Sequence, residues 1–599
     1  MKRSRCKSAV NAAKTDSVAK PLAEVTKRPR QDAQKPEVPG QHLSSVGRVN
    51  RPQRRMTAAQ ALVALQNLPE TVSGSESDGS DADNEDDVII AANDNSDSDS
   101  GNENESDGPP EHAYSGDEHK DNCKNGTSPK SKDGTVWKQI TKIEPPGRIQ
   151  QQKVFKAKVG LTNYCRAVAT PLDALRLLVD DGMLRHIKTC TQTFAQLSQP
   201  NWKITDSELD AFIGLLYLRG AKDSNNFPLK MLWSEEYGCN AFGKTMARNR
   251  FCEIKKYIRF DLRSTRSERI KEDKFCMMSF VLNRFAETSQ KSFAPAESLT
   301  VDEQLFPTKS RCRFTQYMPN KPDKFGIKFW ILADLETKYC LNIIPYLGKD
   351  ETRVDSLGTH VVMQLMEPYL GLGYNVTMDN FFTNRMLAEK LLEKRTSVVG
   401  TIRANRREIP PLVKLPLHDS VFYSSSSLNL TVYQAKQNKS VLILSTLHRG
   451  AAREGDGKKK PEAVLYYNCN KCGVDMLDYM CREMSTKAAC RRWPLAVFFN
   501  VLDLAGVNAW IIYKTKTGSK ISRRKFLFQL SQQLRESEVS RKAAEVVDVC
   551  PASGKFMKRV TCEVRANCKR NRTTTKCTEC KRPVCGQCLA AVCIRCKSA

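Results

Sequence analysis

The sequence predicts a mixed α/β core flanked by helical segments, with a small cysteine-rich domain near its C-terminal end. Three observations lead there. Between Leu299 and Ala404, short apolar runs and helical patterns follow in the order strand, strand, strand, helix, strand, helix, strand, which is the order of a mixed sheet rather than of a bundle or sandwich. On both sides of that unit lie stretches whose apolar residues recur at helical spacing. Eight of the twenty-two cysteines fall between Cys562 and Cys596.

The first 55 residues are rich in Lys, Arg, Pro and Ser, and the clusters KRSR near the start and KRPR at Lys27 to Arg30 predict a nuclear location. MTAAQALVALQNL follows, a helical pattern whose Leu62, Leu65 and Leu68 suit docking on a partner. Residues 71–118 are then densely acidic and contain no Lys or Arg. So little apolar surface cannot offset the entropy of ordering, so residues 1–135 are expected to be disordered. Ser75, Ser77 and Ser80 sit in acidic contexts suited to an acid-directed kinase. The region is compatible with recruitment of chromatin or transcription partners, and its acidic run could fold back on a basic body and compete with DNA.

Globular texture begins near Gly147. In ITDSELDAFIGLLYLRGA, Thr205 and Glu208 form a capping-box pattern, Leu209, Phe212, Ile213 and Leu216 recur at helical spacing, and Gly220 should stop the helix. FCEIKKYIRF and MMSFVLNRFAETSQ predict further helices. SLTVDEQLF, GIKFWILAD and YCLNIIPYL read as three strands, TRVDSLGTHVVMQLMEPYL as a helix, YNVTMD as a strand, LAEKLLEK as a helix and TSVVGTIRA as a fifth strand. Residues 405–439, with Pro410, Pro411 and a run of serines, interrupt the pattern before SVLILSTLH resumes an apolar strand. GVDMLDYMCREM and, after RRWP, PLAVFFNVLDLAGVNAWIIY read as helices.

The net charge of +28 understates the basicity of the body, because the acidic segment offsets part of it. A small domain usually carries a net charge of magnitude about 2–8, so basic surface for solubility alone is the weaker explanation and a polyanion partner, nucleic acid, the stronger one. No run is expected to reach the roughly 18 apolar residues of a membrane span, and MKRSRCKSAVNAAK lacks the apolar core of a signal peptide. A reducing intracellular compartment follows, in which clustered cysteines are metal ligands before they are disulfides.

Four acids stand out. Asp302 lies on the first strand of the α/β unit, Asp379 at the end of the fourth, and Asp475 and Asp478, three positions apart, share one face of the later helix. The neighbours Val474, Met476, Leu477, Tyr479 and Met480 belong in an interior, where ionised carboxylates need a cation or donor. Taken singly, each acid has an ordinary structural reading, since Asp302 stands beside Glu303 and Asp379 before Asn380. Jointly, acids on converging elements suit divalent cations, Mg²⁺ or Mn²⁺, in a phosphoryl-transfer site. Lys309, Arg311, Arg313, Lys321, Lys324 and Lys328 cluster after the first acid and read as contacts to a DNA backbone, with Arg403, Arg406 and Arg407 as a second group.

VDEQLFPTKSRCRFTQYMPNKPDKFGIKFW, TMDNFF, VVGTIRANRREIP, GVDMLD and RRWPLAVFFNVLDLAGVNAW, in that order, closely resemble successive blocks of the piggyBac transposases and their domesticated derivatives, from about residue 150 to the end. The resemblance implies a ribonuclease-H-like core of the DDE/D type interrupted by an insertion, and a mostly helical dimerisation and DNA-binding region contributed from both sides of it. The boundaries expected are 147–296 and 485–545 for the helical region, 297–404 and 440–484 for the core, 405–439 for the insertion and 550–599 for the cysteine-rich domain. Asp302, Asp379 and Asp475 would be the catalytic, metal-binding acids with Asp478 a required companion. The activity implied is cleavage at transposon ends through a hairpin intermediate and joining at TTAA, by a homodimer. The alternative is a domesticated derivative that keeps the acids and serves as a silent nuclear DNA-binding or chromatin protein.

The cysteine-rich tail offers Cys562, Cys568, Cys577, Cys580, Cys585, Cys588, Cys593 and Cys596, enough thiolates for two tetrahedral Zn²⁺ sites whose binding would supply the folding free energy a short segment lacks. Resemblance to cross-brace domains implies that Cys562, Cys568, Cys585 and Cys588 hold one zinc and Cys577, Cys580, Cys593 and Cys596 the other, while sequential pairing fits the count equally well. The tail is similar to the domain with which piggyBac transposases recognise terminal repeats, although Cys588 stands where a histidine is common and the first pair is widely spaced. Cross-brace folds also occur in ubiquitin ligases and chromatin readers, a third reading that rests on the tail alone. Cys469 and Cys472 form a lone CxxC, read as packing residues.

Overall fold

The computed structural model describes residues 129–140, 154–319, 321–348, 355–449, 453–454, 459–548, 555–577 and 579–589. The basic clusters, the leucine-rich helix and the acidic run expected before residue 129 lie outside the described residues.

A ten-stranded sheet organises the body. In chain order its strands are β1 (Lys138–Ile140), β2 (Ser298–Pro307), β3 (Thr315–Tyr317), β4 (Phe325–Asp334), β5 (Cys340–Pro345), β6 (Asn375–Met378), β7 (Ser397–Thr401), β8 (Ser420–Ser425), β9 (Leu428–Lys436) and β10 (Lys439–Ser445). Strands β2, β4 and β5 form an antiparallel meander, and β6 and β7 add to the other side of β2 in parallel. The resulting order β5-β4-β2-β6-β7 is consistent with a ribonuclease-H-like core. Residues of the central strands are buried on both faces, as their unbroken apolar runs require. Helices α6 (Leu357–Met366) and α7 (Arg385–Glu393) make the crossovers, α7 opening on an Asn384 cap whose side chain accepts from the Leu387 N–H.

The segment 405–439 does more than interrupt. Its strands β8 and β9 form a hairpin, β10 pairs antiparallel with β7, and the sheet is thereby extended past its parallel edge. Strand β1 then covers β8, with Lys138 opposite Ser424. Residues 129–135, expected to be disordered, belong to this attachment. Asp133 accepts from the Ser131 hydroxyl and the Thr135 N–H, and Trp137 is fully buried with its Nε1 donating to the Glu408 carbonyl at 2.9 Å. One buried aromatic and three ladder positions fasten a segment whose surroundings in sequence are too polar to signal it.

On either side of the sheet in sequence lie α1 (Pro171–Arg176), α2 (Asp181–Gln196), α3 (Asp206–Ala221), α4 (Arg248–Tyr257) and α5 (Ser279–Ser292) before it, and α8 (Glu462–Asn470), α9 (Gly473–Glu483), α10 (Trp493–Thr517) and α11 (Arg523–Asp548) after it. The two sets interlock. Ser531 of α11 donates to the Gly214 carbonyl of α3 at 2.7 Å, and Tyr217 of α3 donates to the Leu502 carbonyl of α10 at 2.8 Å. The Thr205–Glu208 capping box is present as expected, but Gly220 lies inside α3. A Cβ there would stand 2.5 Å from the Met484 carbonyl, so that glycine serves close packing rather than termination.

Helix α10 is apolar all round, and by length and composition it is long and apolar enough to cross a membrane, contrary to the expectation that no run would be. Burial accounts for it: 94% of its apolar window is packed inside the protein. Each of its fully buried Leu, Val and Phe side chains contributes about 1.5–3 kcal/mol. Several of its polar residues bind across to other elements. Asn508 donates to the Cys340 carbonyl and accepts from the Cys340 N–H, both at 2.8 Å, thereby pairing the free edge of β5. Asp503 accepts from Ser485, from the Thr486 N–H and from the Thr486 hydroxyl, fixing the turn that follows α9.

Burial raises the Asp503 carboxyl to about 7 against the opposing pull of those donors and of Arg523. A carboxyl whose folded pKa lies above its unfolded value stabilises the fold most at low pH, and that stability is lost as pH rises from about 4 to about 7. Thermal melts across this range should therefore show a declining Tm, with a shallower decline in Asp503→Asn.

Candidate active site and zinc centre

Register brings the first two acids together. Strands β2 and β6 run parallel with Val301 opposite Met378, so Asp302 and Asp379, each the next residue, end up side by side on strands about 4.8 Å apart. The third acid arrives by close packing. Gly473 opens α9 directly over β2, where a Cβ would stand 2.8 Å from Thr300 Oγ1, and that hydroxyl donates to the Asn470 carbonyl at 2.9 Å. Asp475, one half-turn further on, is thereby carried to the acids on the sheet.

The acids feel one another's charge. Enclosure within the protein body, followed by the charges of Glu303, Asp379 and Asp475, holds the Asp302 carboxyl well above the usual carboxylate range. Tyr467 of α8 faces the same acids: burial first, opposed by a hydrogen bond from Thr401 and reinforced by Asp379, Asp302 and Asp475, pushes its phenol up to about 12. Lys321, in the turn between β3 and β4, lies 3.8 Å from Asp475 and 4.0 Å from Glu303. Asp302, Asp379 and Asp475 are oxygen donors of the kind a divalent cation takes.

Asp478 behaves differently. Its Oδ1 accepts from Gln304 Nε2 at 2.9 Å and its Oδ2 from Arg482 Nε at 2.8 Å. Gln304 in turn accepts from Asn500 of α10 at 2.8 Å, and Arg482 also donates to the Leu305 carbonyl and to Asp323. Both carboxylate oxygens are occupied by protein donors, so Asp478 ties α9 to β2 and, through Gln304, to α10. Sequence spacing groups the two acids on one face; side-chain direction separates them. Gln304, two residues after Asp302 and hence on the same face of β2, carried the signal for this relay, whereas Lys321 and Tyr467 could be found only through the tertiary fold.

The basic residues also divide. Lys309, Arg311, Arg313, Lys324, Arg403 and Arg407 are exposed, and Lys321 and Arg406 half-buried. Arg403 donates to Asn380, next to Asp379, at 2.8 Å. Lys328 is withdrawn from the set of backbone contacts: it is 8% exposed, with its ammonium 4.0 Å from the centre of the Trp330 ring and 5.3 Å from that of Phe381. A cation so enclosed by aromatic faces is held by them and cannot reach a phosphate at the surface.

In the C-terminal region the Sγ atoms of Cys562, Cys568, Cys585 and Cys588 all lie within 4.8 Å of one another. Tetrahedral zinc with bonds of about 2.3 Å spaces its sulfurs by about 3.8 Å, so the cluster fits that ion. The Asn567 and Cys585 N–H groups point at the Cys588 and Cys562 sulfurs at 3.3 and 3.4 Å. Although burial opposes it, N–H donors from Arg565, Cys585 and Val564 hold the Cys562 thiol down at about 6, a thiolate environment suited to a metal. This grouping is the interleaved one. Cys577 and Cys580 are described, buried and exposed respectively, while Cys593 and Cys596 lie outside the described residues. Cys469 is exposed and Cys472 half-buried, so only the latter packs as expected, and the CxxC joins no metal-ligand cluster among the described residues.

A mixed sheet with acids at neighbouring strand ends and a further acid on a helix crossing them is consistent with the ribonuclease-H-like class of folds. Residues 170–510, more than half of the chain, match the family model described as transposase IS4. The chain belongs to that transposase family, in its piggyBac group. It is 24% identical over 383 residues to human piggyBac transposable element-derived protein 3, covering 59% of this chain and 63% of that protein. Human piggyBac transposable element-derived protein 2 is 22% identical over 376 residues, covering 58% and 62%. The chain thus spans less than two thirds of the length of these relatives. Among solved structures, a piggyBac transposase in a synaptic complex with hairpin DNA superposes with a TM-score of 0.63 at 28% identity, covering 73% of this chain and all of that one.

If the four clustered sulfurs hold zinc, Cys562→Ser should lower the zinc recovered with the purified protein by one equivalent, read by metal analysis. Removal of the metal with a chelator should expose residues 555–589 to hydrogen exchange while leaving the sheet protected.

Proposed function

We propose that this protein is a piggyBac-type DNA transposase or domesticated derivative that binds transposon-end DNA and cleaves and joins it at TTAA by metal-dependent phosphoryl transfer. The observation that carries the reading is the register that sets Asp302 beside Asp379 with Asp475 packed across them. The solved relative bound to hairpin DNA supports it. Asp302, Asp379 and Asp475 would hold Mg²⁺ or Mn²⁺, which when bound supplies Lewis-acid stabilisation of the phosphoryl oxygens and a more acidic nucleophile. Asp478, Gln304 and Arg482 keep α9 in place, so the third acid holds its position through the reaction. Lys309, Arg311, Arg313, Lys324, Arg403 and Arg407 are the exposed cations that would lie along the DNA backbone. The zinc-binding tail would read the transposon ends, the protein would act as a homodimer in the nucleus, and the N-terminal region would recruit chromatin or transcription partners.

A second reading is a silent DNA-binding derivative, favoured by the long acidic segment before residue 119, which suits recruitment of partners. Fragments of the source genome incubated with the protein and Mg²⁺, followed by sequencing of bound sites and broken ends, separate the two. The transposase reading predicts breaks or hairpins beside TTAA that fall by about 10³-fold in Asp302→Asn, Asp379→Asn or Asp475→Asn, equivalent to about 4 kcal/mol of transition-state stabilisation, with DNA binding retained. Bound sites without parent-specific breaks would establish the silent reading.

A further inference from the structure

Helix α9 carries two large side chains on the wrong side of the ordinary pattern. Met476 and Tyr479, whose neighbours in sequence suggest an interior, are 43% and 61% exposed, while Val474, Leu477 and Cys481 of the same helix are buried. They are three positions apart and so share a face. Asp475, Tyr479 and Arg482 likewise follow one another along one side of the helix, and Tyr479 stands about 6 Å along the axis from Asp475. The turn between β3 and β4 runs beside that side, with Lys321 at Asp475 and Asp323 accepting from Arg482 at 2.7 Å, and Lys324 exposed next to it. An aromatic ring and a thioether in solvent, bordered by cations and adjoining a cluster of metal-type acids, form a surface with both an apolar and a phosphate-seeking part. That combination suits a nucleotide with its base out of the duplex stack.

We propose that Tyr479, backed by Met476, stacks on the unpaired base next to the phosphate held at the acids, with Lys321 and Lys324 meeting the flanking backbone. The proposal rests on the reading of the acid cluster as a DNA-cleaving site and adds a positioning residue to it. Stacking there would draw the flanking base from the helix and hold the strand in line with the carboxylates, a function for which a phenol is not required and a ring is.

The test uses the full chain, with Ca²⁺ in place of Mg²⁺, bound to a duplex closed by a TTAA hairpin in which 2-aminopurine replaces one adenine of the tip. The expected result is strong quenching of 2-aminopurine by the parent and by Tyr479→Phe. Tyr479→Ala should lose the quenching and weaken binding about 5- to 150-fold, the range spanned by base–aromatic stacking, with an unchanged Tm because the side chain is exposed. Equal quenching by all three proteins, or none by a parent that binds and cuts the hairpin with Mg²⁺, would overturn the stacking role alone and point to a protein partner on this face. A parent that neither binds nor cuts the hairpin would overturn the DNA-cleaving reading, and this proposal with it.

Discussion

The repulsion among Asp302, Asp379 and Asp475 is the constraint around which the rest of the body is arranged. Neighbouring carboxylates, one of them enclosed, would move apart or hold protons unless something fixed their positions. Two of them are fixed by the strand register of β2 and β6, which is itself set by the buried apolar runs of a sheet covered on both faces. The third depends on a single close contact, the glycine of α9 against Thr300. A helix held at its first residue alone would pivot, and the Asn500–Gln304–Asp478–Arg482 chain prevents that further along.

The same chain explains why helices distant in sequence are required. Asn500 belongs to α10, a helix apolar enough for a membrane but enclosed by α3 and α11 on one side and tied to β5 by Asn508 on another. Asn500, Asp503 and Asn508 bind across to other elements, and losing such a partner there would cost about 1–3 kcal/mol. The body is therefore stiff where the acids are placed. Lys309, Arg311, Lys324 and Arg407 lie exposed outside this network.

Much of this was legible from the sequence because it depends on local pattern. The five core strands, the crossover helices, α3 with its capping box and α9 all announce themselves through periodicity and caps. Other features did not. The hairpin β8–β9 is short and flanked by prolines and serines, and β1 is a three-residue strand after a polar region, so neither has a signal apart from its partner in the sheet. The aromatic cage around Lys328 requires Trp330 and Phe381, from different elements, to meet over one ammonium. Asp478 and Asp475 share a spacing but not a surrounding, and Met476 and Tyr479 were apolar by composition yet outward by geometry. For the tail, the count of cysteines indicated zinc, but only folding chose the interleaved set for Cys562, Cys568, Cys585 and Cys588.

The central claim is that Asp302, Asp379 and Asp475 together bind a divalent cation. Titration of the zinc-loaded protein with Mn²⁺, followed by loss of the free-ion electron paramagnetic resonance signal, addresses it directly. The account predicts saturable binding that Mg²⁺ displaces and that is lost in Asp302→Asn and Asp475→Asn. Equal binding by the parent and both variants, or none by any of them at concentrations where Mg²⁺ supports DNA cleavage, would contradict it.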